Sequence, residues 1–166
     1  MLQIKNTLGG GGANVTIDGV KVKGELNLVS ELLDVSVSTL PYTFYFGSAV
    51  VLNGEIHILG SNGGSTNHYK WDGTSWTSVS TLPYGFYQGS AVVIDGEIHI
   101  LGSINTGSNT AHYKWNGSSW TSVSTLPYNF YSGSAVVLNN EIHILGGDSS
   151  FKTHYIISTK FYKEVA

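Results

Sequence analysis

TLPYGFYQGSAVVIDGEIHILGS, residues 81–103, returns almost unchanged at 39–61 and at 125–147. Pro41, Pro83 and Pro127 mark the period, 42 and then 44 residues, so the chain is built from copies of one supersecondary unit. The copies are close. Between Trp76–Gly102 and Trp120–Gly146 the residue changes only at 85/129, 88/132, 94/138, 95/139 and 96/140. All six His are repeat positions: His57, His99 and His143 in EIHIL, and His68, His112 and His154 before a Tyr.

Each copy reads as four short strands. SAVVL (48–52) is the first, and Asn53-Gly54 supplies a two-residue hairpin turn. EIHILG (55–60) is the second, HYKW (68–71) the third, and Asp72-Gly73 turns the chain into WTSVS (76–80). Pro83 then ends the pairing, because it has no N–H to give. The apolar runs are short and β-branched, which argues against helix. Four-stranded units of about 40–50 residues read as propeller blades. Blades stack face to face, which accounts for a first strand that is apolar on both sides. Trp71, Trp76, Trp115 and Trp120 are expected to fill the space between them.

These residues resemble the kelch repeat family over roughly 34–166: EIHILG, then Tyr69 with Trp76, Tyr113 with Trp120, and Tyr155 with Tyr162. The family's Gly-Gly stands only at Gly146-Gly147; Gly60-Ser61 and Gly102-Ser103 replace it elsewhere. The family's Arg before the first strand is absent, so an arginine-lined peptide pocket is not carried over. Trp71-Asp72 is no WD signature, since its counterpart is Trp115-Asn116. The resemblance implies an all-β fold of kelch-like propeller blades. Three are complete: 48–79, 90–123 and 134–165. Propellers have about four to eight blades. Three leave two open apolar flanks of a few hundred Å² each by strand dimensions, roughly the limit for a monomer. A six-bladed ring closed by homodimerisation is therefore expected. LDVSVSTLPY (33–42) aligns with SWTSVSTLPY (75–84), so 33–38 reads as an extra outer strand that two chains could exchange. Residues 1–32 read as a Gly-rich attachment arm or adaptor, with a small hairpin at 14–22 around Asp18-Gly19; the bland alternative is a flexible tail plus a capping strand.

Composition narrows the function. Hydrophobic residues make up 41% and charged residues 11%, so Ser, Thr, Asn and Gly must supply solubility. The net charge is −3, and there is no Arg and no basic run, which excludes nucleic acid as the expected partner. With no Cys there is no disulfide, thiolate metal site or Cys nucleophile. LGGGG (8–12) lacks the Gly-Lys-Ser/Thr of a phosphate loop. MLQIKNTLGGGG lacks the basic-then-apolar pattern of a signal peptide, and no apolar run nears the ~20 residues of a membrane span.

In antiparallel order the fourth-to-first and second-to-third connections emerge on one face. That face collects LPYTFYFGS, LPYGFYQGS and LPYNFYSGS, ringed by Asn, Ser and Thr. Flat aromatic surface beside neutral amides and hydroxyls suits sugar recognition. The candidate ligand-binding residues are Tyr45, Tyr87 and Tyr131, then Tyr42, Tyr84 and Tyr128, with Asn67 and Asn109. Against this stands the bland alternative that LPYxFY packs the blade-to-blade crossover, above all through its Phe and first Tyr. The His are expected to be buried and hydrogen-bonded rather than to bind metal, since a blade's second strand does not line the axis. Glu55, Glu97 and Glu141 are expected to hold turn amides or these His. An enzyme would break the repeat symmetry at one site, and nothing does so. No Cys beside a Tyr offers a copper oxidase site, and no spaced Asp-box or Arg cluster offers a sialidase. Neither catalysis nor a cofactor is expected.

NTLGGGG (6–12), with LPYxFYxGSAVVLN and EIHILGG, also resembles small kelch-type tail proteins of Gram-positive prophages. This implies a non-catalytic binding module of a phage-like tail or fibre that recognises a surface glycan, located in the virion tail or in the cytoplasm before lysis. The alternative is a purely structural tail or baseplate protein.

Overall fold

The computed structural model describes residues 15–17, 20–22, 36–105, 107–147 and 152–158. The chain divides into two units, Met1–Val37 and Ser38–Ala166. In the first unit, β1 (Val15–Ile17) pairs antiparallel with β2 (Val20–Val22), the hairpin read from Asp18-Gly19.

The second unit is all β in its described residues. Its first sheet orders β3 (Ser48–Leu52), β4 (Glu55–Leu59), β5 (His68–Trp71) and β6 (Trp76–Ser78) as consecutive antiparallel neighbours. The second repeats this with β7 (Ser90–Ile94), β8 (Glu97–Leu101), β9 (His112–Trp115) and β10 (Trp120–Ser122). The third contributes β11 (Ser134–Leu138), β12 (Glu141–Leu145) and β13 (His154–Ile157). Its expected fourth strand, YKEV at 162–165, lies outside the described residues, as do 33–35 of the proposed outer strand. Residues 36–40 form no strand. The repeated antiparallel sheets form a propeller-like array. No helix among the described residues is long and apolar enough to cross a membrane.

Register sorts each sheet's side chains. Leu52 lies opposite Glu55, Val50 opposite His57, and Leu59 opposite His68, so these share one face, here called forward. Ala49, Val51, Ile56, Ile58, Tyr69, Trp71 and Trp76 share the other, the rear. The forward Leu52 and Leu59 of the first sheet pack with the rear Ala91, Ile98, Ile100 and Trp115 of the second. The forward Val92, Ile94 and Leu101 of the second pack with the rear Ala135, Ile142 and Ile144 of the third. Innermost strands are stitched by the same bond each time: Ala91 N–H donates to Ser48 Oγ (3.1 Å) and Ala135 N–H to Ser90 Oγ (3.0 Å).

The crossovers close each junction. Leu82 and Phe86 are buried in the first core, Leu126 and Phe130 in the second. The Phe86 N–H donates to Ser65 O (3.1 Å), and Phe130 N–H to Asn109 O (2.8 Å). Gly60 (φ 65°) and Gly102 (φ 60°) are left-handed, and a Cβ on either would strike the carbonyl of Phe86 or Phe130. That close approach explains why the first Gly of the repeat's Gly-Gly is kept. The second position, Ser61 or Ser103, uses its hydroxyl: Ser61 Oγ donates to Thr43 O (2.8 Å) and Ser103 Oγ to Gly85 O (2.9 Å), which ties the crossover down.

Among the described residues, both end faces of the array carry exposed apolar side chains. Val136 and Leu145 on the third sheet's forward face are 45% and 39% exposed, whereas Val92 and Leu101, their equivalents inside the array, are 6% and 0% exposed. On the first sheet's rear face Ile56 is 41% exposed, against 0% for Ile98.

Candidate functional site

Backbone hydrogen bonds hold the fourth-to-first and second-to-third connections together on one face. Asn62 N–H donates to Tyr45 O (2.9 Å), Ser61 N–H to Phe86 O (3.1 Å) and Ile104 N–H to Tyr87 O (2.9 Å). The three tyrosine pairs of that face then separate by role. The hydroxyls of Tyr42, Tyr84 and Tyr128 donate inward to the carbonyls of Gly60 (2.9 Å), Gly102 (3.1 Å) and Gly146 (3.1 Å). Burial raises all three phenols above their ordinary pKa. These side chains support the face from beneath.

The second tyrosines stand nearer the surface. Tyr45 is exposed, while Tyr87 and Tyr131 are half-buried. Tyr45 stacks at a tilt on Phe46 (5.4 Å between centroids), and Phe46 meets Tyr87 edge-on (5.6 Å), so one aromatic run crosses from the first sheet to the second. The Asn62 amide donates to the Tyr45 hydroxyl. The Asn105 amide donates to Gly85 O (2.7 Å).

Phe46 was not among the residues singled out from the sequence. It is 54% exposed and left-handed, at φ 58°. A bulky aromatic in that region is a strained outlier, costing on the order of 1–3 kcal/mol. Its equivalents Gln88 (φ 56°) and Ser132 (φ 57°) share the conformation. The three are strung together: Gln88 N–H donates to Phe46 O (2.9 Å), and Ser132 N–H to Gln88 O (2.7 Å). They form a row across the starts of the innermost strands, and their side chains differ while their backbones agree. The signal was in the sequence, since position 88/132 is one of the few that vary.

Asn67 and Asn109 do not occupy equivalent places. Asn67 O accepts from Gly60 N–H (2.9 Å), a role that Ala111 O fills for Gly102 (2.8 Å). Asn109 O accepts from Phe130 N–H, as Ser65 O does from Phe86. The second sheet's loop is two residues longer, which shifts the alignment.

The histidines lie in pairs, His57 and His68 on the forward face of the first sheet and the others at the equivalent positions. His57 Nδ1 lies 2.8 Å from His68 Nε2, His99 Nδ1 2.8 Å from His112 Nε2, and His143 Nδ1 2.9 Å from His154 Nε2. Burial, then the neighbouring His, lowers His68 to about 3 and His112 to about 4, so both are neutral at pH 7. His68 packs edge-on against Trp115 and Trp120 of the next sheet, at 5.5 and 5.7 Å. Among the described residues no group of three or more His, Asp or Glu could hold a metal ion. Glu55 and Glu97 depart from the roles read for them: they pair with Lys70 (2.9 Å) and Lys114 (2.8 Å) across the strands.

No protein-family model and no curated protein matches the chain. Among solved structures it is similar to that of YjhT, with a TM-score of 0.59 and 23% identity over 67% of this chain and 36% of that one. At that identity the likeness is one of fold alone, repeated antiparallel sheets in a propeller-like array. The chain spans about a third of the neighbour's length.

Proposed function

We propose that this chain is a non-catalytic binding module whose loop face recognises a surface glycan. The observation that carries the reading is the Tyr45–Phe46–Tyr87 run, exposed at Tyr45 and Phe46, with Phe46 held in a strained backbone and Asn62 against the Tyr45 hydroxyl. Aromatic faces stack on the apolar side of a pyranose, and amides and hydroxyls meet its rim. The phage-like tail or fibre as its setting, with residues 1–32 attaching to other tail proteins, is supported by the sequence resemblance.

Binding to a glycan array or to isolated cell wall tests this. Tyr45→Ala and Phe46→Ala should each abolish binding while leaving thermal stability unchanged. Undiminished binding by both variants would refute it. A second reading, a structural tail protein without a small ligand, draws on Phe46 as well, since a bare ring also suits a protein contact. In that case no glycan binds, and Phe46→Ala releases a tail protein instead.

We also propose that a second copy completes the array. Of ring sizes between about four and eight blades, only six is a multiple of three.

A further inference from the structure

We propose that the two open faces are halves of one interface, in which the partner's His154 enters the Trp71–Trp76 pair. The inference rests on the two-copy ring and adds the contacts that close it.

The internal junction is the template. Between the first and second sheets, Trp120 Nε1–H donates to Ser80 Oγ (3.2 Å). Ser80 Oγ lies 3.5 Å from His68 Nδ1, and His68 pairs with His57. His68 is buried there against the Trp115–Trp120 pair, whose rings stand 5.5 Å apart at 43°. Half of this arrangement waits on each open flank. At the rear of the first sheet, Trp71 and Trp76 stand 5.5 Å apart at 45°, and Trp76 Nε1–H donates to Ser38 Oγ (3.2 Å). Ser38 is the repeat equivalent of Ser80, so the donor, the hydroxyl and the ring pair are already assembled. At the front of the third sheet stands the His154–His143 pair. His154 is exposed, whereas its equivalents His68 and His112 are buried. Around it Val136, Leu138, Leu145 and Ile156 are exposed, and Ile156 replaces the lysine of the other two sheets. Apolar surface of this extent calls for a cover.

One operation joins the halves. The third sheet's front lies on the partner's first-sheet rear, and the two-fold axis makes the same contact a second time. Continuing the inner-strand series, the partner's Ala49 N–H falls on Ser134 Oγ. Continuing the row at the loop face, the partner's Phe46 N–H falls on Ser132 O. The row closes into a ring of six, with two Tyr45–Phe46–Tyr87 clusters facing each other across the axis.

The chain has no Cys, so engineered pairs report this geometry cleanly. Ala49→Cys with Ser134→Cys changes two exposed positions. Mild oxidation should give a disulfide-linked dimer, and neither single variant should. Ser90→Cys with Ala135→Cys, at the internal junction, is the positive control and should link within one chain. His154→Ala should raise the dimer dissociation constant at least tenfold. A dimer by light scattering without the Ala49–Ser134 link would overturn this interface but leave the two-copy ring standing. A monomer would overturn both, and a ladder of longer oligomers would replace the closed ring with an open one.

Discussion

Replacing Phe86 with Ala removes a fully buried ring from the junction of the first two sheets. Leu82, Ile98, Ile100 and Trp115 lie in the same core, and the crossover backbone is fixed at both Ser61 and Ser65. The site has little freedom to collapse, so the loss should be about 3–5 kcal/mol. For a unit of this size that lowers the melting midpoint by roughly 10–20 °C. The informative comparison is Phe44, the same residue at the same repeat position but at the open end, where it is only half-buried. Phe44→Ala should cost about half as much in dilute, monomeric protein. Chemical denaturation followed by circular dichroism measures both. Equal losses for Phe44→Ala and Phe86→Ala under monomeric conditions would refute the claim that stacking of sheet on sheet sets the cost.

Acid should weaken the fold from within. His68 and His112 are held neutral by burial, with folded values of about 3 and about 4, while the unfolded chain takes up these protons near pH 6.5. Stability is therefore complete above about 6.5 and falls on acidification by about 1.4 kcal/mol per pH unit for each His until the folded values are reached. Urea titrations at pH 7, 5.5 and 4.5 check the slope; a flat profile contradicts the buried pairs. Phe46→Gly should raise stability by about 1 kcal/mol, because glycine tolerates the left-handed backbone, and should abolish glycan binding. Asp72→Asn should leave the melting midpoint unchanged. Asp72 Oδ1 accepts from the N–H groups of Thr74 (2.8 Å) and Ser75 (2.9 Å), and Asn116 holds the equivalent turn in the next sheet with its amide oxygen. Gly102→Ala should prevent folding of the second junction or lower its midpoint sharply, as read by circular dichroism on heating.

Much of the fold was written in local signals. SAVVL, EIHIL and HYKW form strands at the positions read from the sequence, because Asn53-Gly54 fixes the turn between the first two and Asp72-Gly73 the turn after the third. The fourth strand is shorter than WTSVS suggests and ends at Ser78, with one further in-register bond from Val79 N–H to His68 O (2.9 Å). The site was legible only in part. The alternation of buried and exposed aromatics in LPYxFY depends on where the crossover meets the preceding sheet. No periodicity reports that Tyr84 points its hydroxyl at Gly102 O while Tyr45 stays exposed. The His pairs follow from register alone. Once Leu59 is set opposite His68, His57 lies diagonally beside it on the same face. Phe46 was hidden by its chemistry, since a phenylalanine in a repeat reads as core until its φ and exposure are known.

The most direct test of the account is the mass of the full chain in solution, by light scattering over a range of concentrations. Three blades that form half of a ring predict a stable species of twice the 17.8 kDa chain. A chain that stays monomeric at every concentration, with Val136, Leu145 and Ile56 open to water, would contradict it.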